Sequence, residues 1–124
     1  MADVVAVGGD VYSNILTSEK YEIRQRVGLG KQFENGDLVK IDDSTGKLVK
    51  ATKDDAMYVV YSANNITPIP TKDEDIPLVV VMRGAVRAKY LKDANGVAYD
   101  DMSDADKIAL TNQLAKYSIL VENL

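Results

Sequence analysis

The segment that most restricts how this chain can fold is residues 77–91, where a continuous apolar run meets a basic one. Residues 78–82, Leu-Val-Val-Val-Met, are apolar without a break, as in a strand that is buried on both faces. After Arg83 and Gly84, basic residues occupy alternate positions of residues 85–91, which predicts a second strand with one face in water. A chain with this segment is expected to build a sheet around a core.

Beyond Phe33, strand patterns and turn residues follow one another at short intervals. Asn35-Gly36 marks a tight turn, and Gly46 closes a compact turn between two strand-like runs, which predicts a hairpin. Short strands separated by turns are typical of a small β-barrel or sandwich. Besides residues 78–82 and 85–91, strands are expected at residues 37–41, 47–51, 57–62 and 118–121.

One short α-helix is expected near residues 104–115, close to the C-terminus. Ser103 is a suitable N-cap with Asp106 three residues later, and acidic residues in the first turn favour the positive end of the helix dipole. The apolar side chains form two groups on opposite sides, Leu110, Leu114 and Tyr117 on one and Ala105, Ile108 and Ala109 on the other. Such a helix either packs between its own sheet and a neighbouring subunit or is partly buried within one domain, and the sequence leaves both open.

Residues 1–32 differ from the rest of the chain and are expected to form an extended N-terminal arm. Within them, apolar and charged residues alternate over residues 20–27, which is the period of a strand and not of a helix. A lone strand must pair with its own body, with a second copy or with a different protein to satisfy its backbone. The candidate partner-binding residues are Tyr21, Ile23, Arg24, Arg26 and Val27.

Residues 33–124 are expected to fold as one β-rich body. A chain of 124 residues is long enough to bury a core without covalent cross-links. The core candidates come from the alternating and continuous apolar runs, and they are Leu38, Ile41, Val59, Val80, Met82, Ile119 and Val121.

The composition excludes most kinds of catalytic site. The chain has no His and no Cys, so it lacks the commonest general base, thiolate nucleophiles and the usual ligands of zinc. Its paired carboxylates fall in turn-like segments, and residues 93–104 lack the spacing of a calcium loop. We therefore expect that the protein is not an enzyme and that it uses no cofactor and no metal.

Charge and hydropathy limit the partners. The net charge of −4 disfavours nucleic acid, whose binding proteins are basic, and no apolar run reaches the length of a membrane span. Residues 1–9 lack the basic and long apolar regions of a signal peptide. We expect a soluble protein that is made and used without secretion.

Three segments resemble the head decoration, or capsid cement, proteins of tailed bacteriophages. The resemblance covers about residues 33–124 and depends mainly on the order of the predicted elements. The matching segments are Asn-Gly-Asp-Leu-Val at residues 35–39, Val-Val-Met-Arg-Gly-Ala-Val at residues 80–86 and Leu-Ala-Lys-Tyr-Ser-Ile-Leu-Val at residues 114–121. The segment before Phe33 is longer than the resemblance explains.

The resemblance implies a structural function. Decoration proteins have a compact β-rich body on the outside of the capsid, commonly as trimers, and an N-terminal arm that pairs with the major capsid protein. They stabilise the expanded head. By this resemblance the chain is a homo-oligomeric virion protein, made in the host cytoplasm, whose partner is the major capsid protein.

The distribution of charge is compatible with such a partner. Residues 19–31 contain four basic and two acidic side chains, so this segment is +2 and the rest of the chain is −6. A basic segment on an acidic body suits docking to an acidic surface while free copies repel one another. Two other classes stay open: another small virion or assembly component, such as a tail or fibre-base protein, and a small-ligand-binding or carboxylate-based enzymatic domain.

Overall fold

The computed structural model describes residues 15–16, 22–28, 33–62 and 76–123, with only the backbone described for residues 22–27, 62, 76 and 77. Within these ranges the protein is mainly β, with one α-helix near the C-terminus, as the sequence predicts. The strands are β1 (Glu22–Gly28), β2 (Leu38–Ile41), β3 (Leu48–Lys50), β4 (Tyr58–Ser62), β5 (Ile76–Arg87) and β6 (Ile119–Glu122). The helix is α1 (Asp104–Ala115), and short 3-10 turns lie at Ala88–Tyr90 and Tyr99–Asp101.

The strands form one mixed sheet in the order β1-β3-β2-β4-β5-β6, and β1 also pairs with β5. The predicted hairpin is confirmed, because β2 and β3 are antiparallel neighbours joined through the turn that contains Gly46. The pairing of β1 with β3 is restricted to Gly28 and Leu48. The sheet therefore curls back on itself without a continuous ladder that would close it into a barrel.

Strand β5 belongs to two parts of the sheet. Residues 76–83 pair with β1, and part of this half also pairs with β4. Beyond it, residues 84–87 run parallel to β6. Gly84, with a φ of 136°, lies where the partners change. The expectation of two separate strands is thus wrong: one strand passes through Arg83 and Gly84, ends at Arg87, and is followed by a 3-10 turn.

The core consists of two groups of buried side chains, one on each side of the sheet. Four of the core candidates are completely buried: Leu38, Val59, Val80 and Ile119. The other three, Ile41, Met82 and Val121, are half-buried and pack against these groups. Phe33 is not among the core candidates, yet its ring is completely buried beside Leu48 and Leu78.

Helix α1 begins where the sequence predicts. The Ser103 hydroxyl accepts a hydrogen bond from the Asp106 amide at 3.2 Å, as in an N-cap. Leu110 and Leu114 are buried in the core, so this side of the helix faces the sheet. The turn that follows contains Ser118 at a φ of 65° and leads directly into β6. Among the described residues, α1 and the shorter helical turns are neither long nor apolar enough to span a membrane.

Two described segments of residues 1–32, the predicted arm, contact the body. Ile15 and Leu16 are buried in the core, at 1% and 9% exposure, and Leu16 forms an antiparallel bridge with Val86. Strand β1 pairs with β5 along its whole length. Both segments therefore belong to the body, because their backbone pairs with β5 of the same chain and because Ile15 and Leu16 are part of its core. Residues 1–14, 17–21 and 29–32 of the predicted arm lie outside the described residues.

Candidate functional site

The predicted partner-binding residues lie mostly in β1, which the structure places inside the sheet. Strand β1 is antiparallel to β5 over seven residue pairs, with an irregularity between Glu22 and Ile23. The four described positions pair as Ile23 with Val81, Arg24 with Val80, Arg26 with Leu78 and Val27 with Pro77. Tyr21 and the side chains of the other four lie outside the described part of the chain.

The two edges of β1 are used differently. One edge is paired with β5 throughout, whereas the other has a single pairing partner in the described ranges, where Gly28 meets Leu48. This second edge therefore presents the backbone of residues 22–27 without a neighbouring strand among the described residues. A sheet edge of this kind is a template for an added strand.

The phase of the β1–β5 ladder follows from Pro77. Proline has no N–H, so its pair with Val27 is expected to be of the type without mutual hydrogen bonds. Hydrogen-bonded and non-hydrogen-bonded pairs alternate along an antiparallel ladder. Counting from Val27, the pair of Arg24 with Val80 is therefore hydrogen-bonded, and the pair of Gln25 with Val79 is not. The N–H of Gln25, one residue further on, then points toward the open edge of β1.

A buried carboxylate, Asp37, lies at the start of β2. Its side chain is 3% exposed, and its Oδ2 accepts a hydrogen bond from the Glu34 amide at 2.8 Å. The ammonium groups of Lys50 and Lys92 lie 3.7 Å and 3.9 Å from its two carboxylate oxygens. The carboxylate thus closes the turn through Gly36 and balances two cations from other parts of the chain.

Burial controls the protonation of Asp37. Loss of solvent raises the pKa of this carboxyl to about 6, and the charge and hydrogen bond of Lys50 oppose the shift without cancelling it. A carboxyl with this pKa changes charge near neutral pH. Such a group has the acidity of a general acid or base, and its role depends on the groups that surround it.

The surroundings of Asp37 favour a structural role. The carboxylate lines an open cavity of about 260 Å³ whose other lining residues are Glu34, Lys50, Lys92, Asp93 and Gly96. Lys92 is ion-paired with Glu34, and its backbone exchanges hydrogen bonds with Gly36 and Leu38. These contacts tie the loop after β5 to the start of β2. Asp93 accepts hydrogen bonds within its own turn, so Asp37 and Asp93 both hold backbone turns, while Glu34 pairs with Lys92.

Two of the paired carboxylates also stabilise turns, namely Asp42 of the pair Asp42-Asp43 and Asp55 of the pair Asp54-Asp55. Asp42 accepts hydrogen bonds from the amide and hydroxyl of Thr45, and Asp55 does the same for Thr52. Burial raises the pKa of Asp55, but hydrogen bonds from Lys40 and Thr52 outweigh this effect and lower it overall. In the described ranges, His, Cys, Asp and Glu side chains form no group of three or more that could hold a metal ion.

Two large apolar side chains are exposed on the elements near the C-terminus. Ile108 on α1 is 62% exposed and Leu120 on β6 is 59% exposed. Leu120 pairs with Ala85 of β5, on the strand that ends the sheet order. Single exposed apolar side chains are common on protein surfaces, so each of these residues indicates a contact surface only together with the rest of the face around it.

Sequence reasoning missed the burial of Asp37. The signal was present in Asn35-Gly36-Asp37, since an Asp after a glycine turn commonly bonds the local backbone. The two lysines that face the carboxylate are distant in sequence and could not be assigned from that pattern. Conversely, the five partner-binding candidates were chosen from periodicity, which identified the strand correctly but not its neighbour.

No protein-family model matches the sequence, and no curated protein matches it either. Function is therefore inferred from the surfaces described above and from the three segments that resemble decoration proteins.

Proposed function

We propose that this protein is a structural virion component that binds the outer surface of a bacteriophage capsid and stabilises the expanded head. Its partner is the major capsid protein, and the contact is made at the open edge of β1, around Tyr21, Ile23, Arg24, Arg26 and Val27. A strand of the capsid protein adds to this edge. A detached arm would leave its own sheet and add to the sheet of the capsid protein. Here β1 stays in its own sheet, and the capsid protein supplies the added strand.

The observation that supports this proposal best is the asymmetry of β1. Its β5 edge is fully paired, while residues 22–27 on its other edge have no strand partner in the described ranges. Strand addition gives affinity through backbone hydrogen bonds and needs no catalytic group. The mainly β body with one C-terminal helix is also the architecture that the resemblance implies.

Charge supports the same edge. Residues 19–31 are +2 and the remainder of the chain is −6, so the segment around β1 is one of the basic segments of an acidic protein. Arg24 and Arg26 contribute two of the four positive charges of this segment. Electrostatic complementarity of this kind raises the rate of association with an acidic surface and becomes weaker with salt.

The resemblance further implies the setting of this contact. Decoration proteins are commonly trimers on the capsid exterior. A trimer that binds several capsid subunits at once is held more tightly than any single weak contact would hold it. We extend the trimer, the virion location and synthesis in the host cytoplasm to this chain as parts of the same proposal. Binding to a lattice of identical capsid subunits makes avidity the source of the stabilisation.

The test compares two proline variants that differ only in the edge they change. Gln25→Pro removes the N–H that points to the open edge, and Arg24→Pro removes an N–H that belongs to the β5 ladder. Purified wild type and Gln25→Pro are mixed with expanded, undecorated capsids, which are then sedimented and imaged. Thermal melts of both variants report whether the body is folded.

We expect Gln25→Pro to melt close to wild type and to bind capsids at least tenfold more weakly, whereas Arg24→Pro melts at a lower temperature. Normal decoration by folded Gln25→Pro would show that the open edge is not the anchor. Wild-type protein that leaves capsids bare but binds purified tails would favour a tail or fibre-base component instead.

A further inference from the structure

The outward face of α1 carries no charged side chain over three turns. This face consists of Ala105, Ile108, Asn112 and Ala115, all of which are exposed. Spacings of three and four residues place them on one side of the helix, away from buried Leu110. Surface helices normally direct charged residues to solvent, and 27% of this chain is charged. An uncharged outward face with an exposed Ile at its centre is therefore suited to contact and not to solvent.

The ends of this face carry opposite charges. Asp104 lies at the first residue of α1 and Lys116 directly after its last, and both are exposed. They are equally distant from Leu110 in sequence, six residues before it and six after. Ala105 and Ala115 are likewise symmetric about this position, as are Ile108 and Asn112. The face is thus complementary to itself when a second helix is placed against it in the opposite direction.

We propose that two copies of this chain associate through α1, packed antiparallel about a twofold axis. Asp104 of each copy then faces the partner's Lys116, so the charges are complementary at both ends. Small Ala105 faces the partner's Ala115, which lets the helices approach, and Ile108 of each copy is covered beside the partner's Asn112. Self-complementary contact of one patch with its own copy is what a twofold interface requires.

The size of the contact predicts its strength. Twelve residues of helix are about 18 Å long, and a single pair of such helices buries less than the roughly 1,200 Å² of a standard stable interface. The association is therefore weak and depends on protein concentration. It uses helix α1 and neither the open edge of β1 nor the threefold contacts of the trimer proposed for the capsid surface, so capsid binding, trimer formation and this twofold association can fail separately.

Charge reversal provides the first test. Asp104→Lys places Lys against Lys in a pair of like copies, and Lys116→Asp places Asp against Asp. Sedimentation equilibrium of each variant alone should show self-association at least tenfold weaker than wild type. The equimolar mixture should recover association, because both contacts in the mixed pair are again between opposite charges. A mixture that associates no better than the separate variants would overturn the antiparallel arrangement.

Cysteine cross-linking provides the second test on a chain that has no cysteine of its own. Ala105→Cys and Ala115→Cys should form a disulfide-linked dimer in the mixture faster than either forms alone. Ala94→Cys, in an exposed loop, is the control for random collision and should cross-link slowly with both. Faster linkage of Ala105→Cys to itself indicates parallel helices and contradicts the proposal. A wild-type chain that stays monomeric at millimolar concentration also contradicts the proposal, and so does association of pairs that Ile108→Arg leaves unchanged.

Discussion

Gly36 and Tyr90 approach so closely that a Cβ on residue 36 would lie 1.7 Å from the Tyr90 carbonyl oxygen. Gly36 also has a φ of +93°, which L side chains rarely adopt. The same glycine donates its N–H to Val60 and accepts from Lys92, so its backbone joins β4 to the loop after β5. This position requires glycine for two independent reasons.

Gly36→Ala is therefore expected to be severely destabilising. Gly46 is the matched control, since it has a φ of +72° but no atom within 4 Å of an added Cβ. Gly46→Ala should reduce the free energy of unfolding by about 1 kcal/mol through backbone strain alone. Gly36→Ala should reduce it by more than about 3 kcal/mol, because the carbonyl of Tyr90 must also move. Urea unfolding of the two variants measures the difference, and equal losses would contradict the close approach.

Asp37 should make the stability of the body depend on pH. Its pKa in the folded state, about 6, is above the 3.8 of an unfolded chain, so protonation favours folding. Its contribution is fully present below about pH 4 and is lost as the pH rises through about 6. A rise in the pKa of Asp37 from 3.8 to about 6 corresponds to at most about 3 kcal/mol. Asp37→Asn removes the titration and keeps an oxygen for the Glu34 amide.

The quantity to measure is the difference in unfolding free energy between wild type and Asp37→Asn from pH 3.5 to pH 7.5. We expect wild type to lose stability relative to the variant across this interval. Carboxyls such as Asp55, whose pKa is lowered, lose stability in acid instead, but they are present in both proteins and cancel. A difference that is constant with pH would show that Asp37 titrates normally.

Removal of β1 should unfold the body. A chain that starts at residue 29 loses the buried Ile15 and the strand that covers one edge of β5. Circular dichroism should show the loss of cooperative melting. A chain that starts at residue 15 keeps both features and is the control, which should still melt cooperatively. If the shorter chain melts like the longer one, β1 contributes little to the folded state.

Ser118→Gly should stabilise the protein. Ser118 has a φ of 65° and is exposed, so its side chain contributes strain without packing. Glycine at this position is expected to raise the free energy of unfolding by up to about 1 kcal/mol. Ser103→Ala at the other end of α1 removes the N-cap bond and should lower it by about 1 kcal/mol. The denaturation midpoint should shift upward in Ser118→Gly and downward in Ser103→Ala, which checks both assignments.

Local sequence patterns are sufficient to predict a residue's structural role where that role depends on its neighbours in sequence. The Ser103 cap, the hairpin closed at Gly46 and burial of Val80 all follow from spacing, side-chain type or turn geometry within a few residues. The strand over residues 22–28 was likewise visible as a period of two. These features depend on short-range geometry, which can be predicted from residue types and their spacing.

The sequence by itself determined the mainly β class, the helix and most of the buried strands. Only the tertiary structure decided that β5 is one strand with two sets of neighbours, and that β1 is paired with β5 instead of lying apart. It also decided that Lys50 and Lys92 meet Asp37. The physical reason is that an alternating strand shows which residues share a face but carries no signal for which other strand will satisfy its backbone. That choice depends on how the whole chain closes its core.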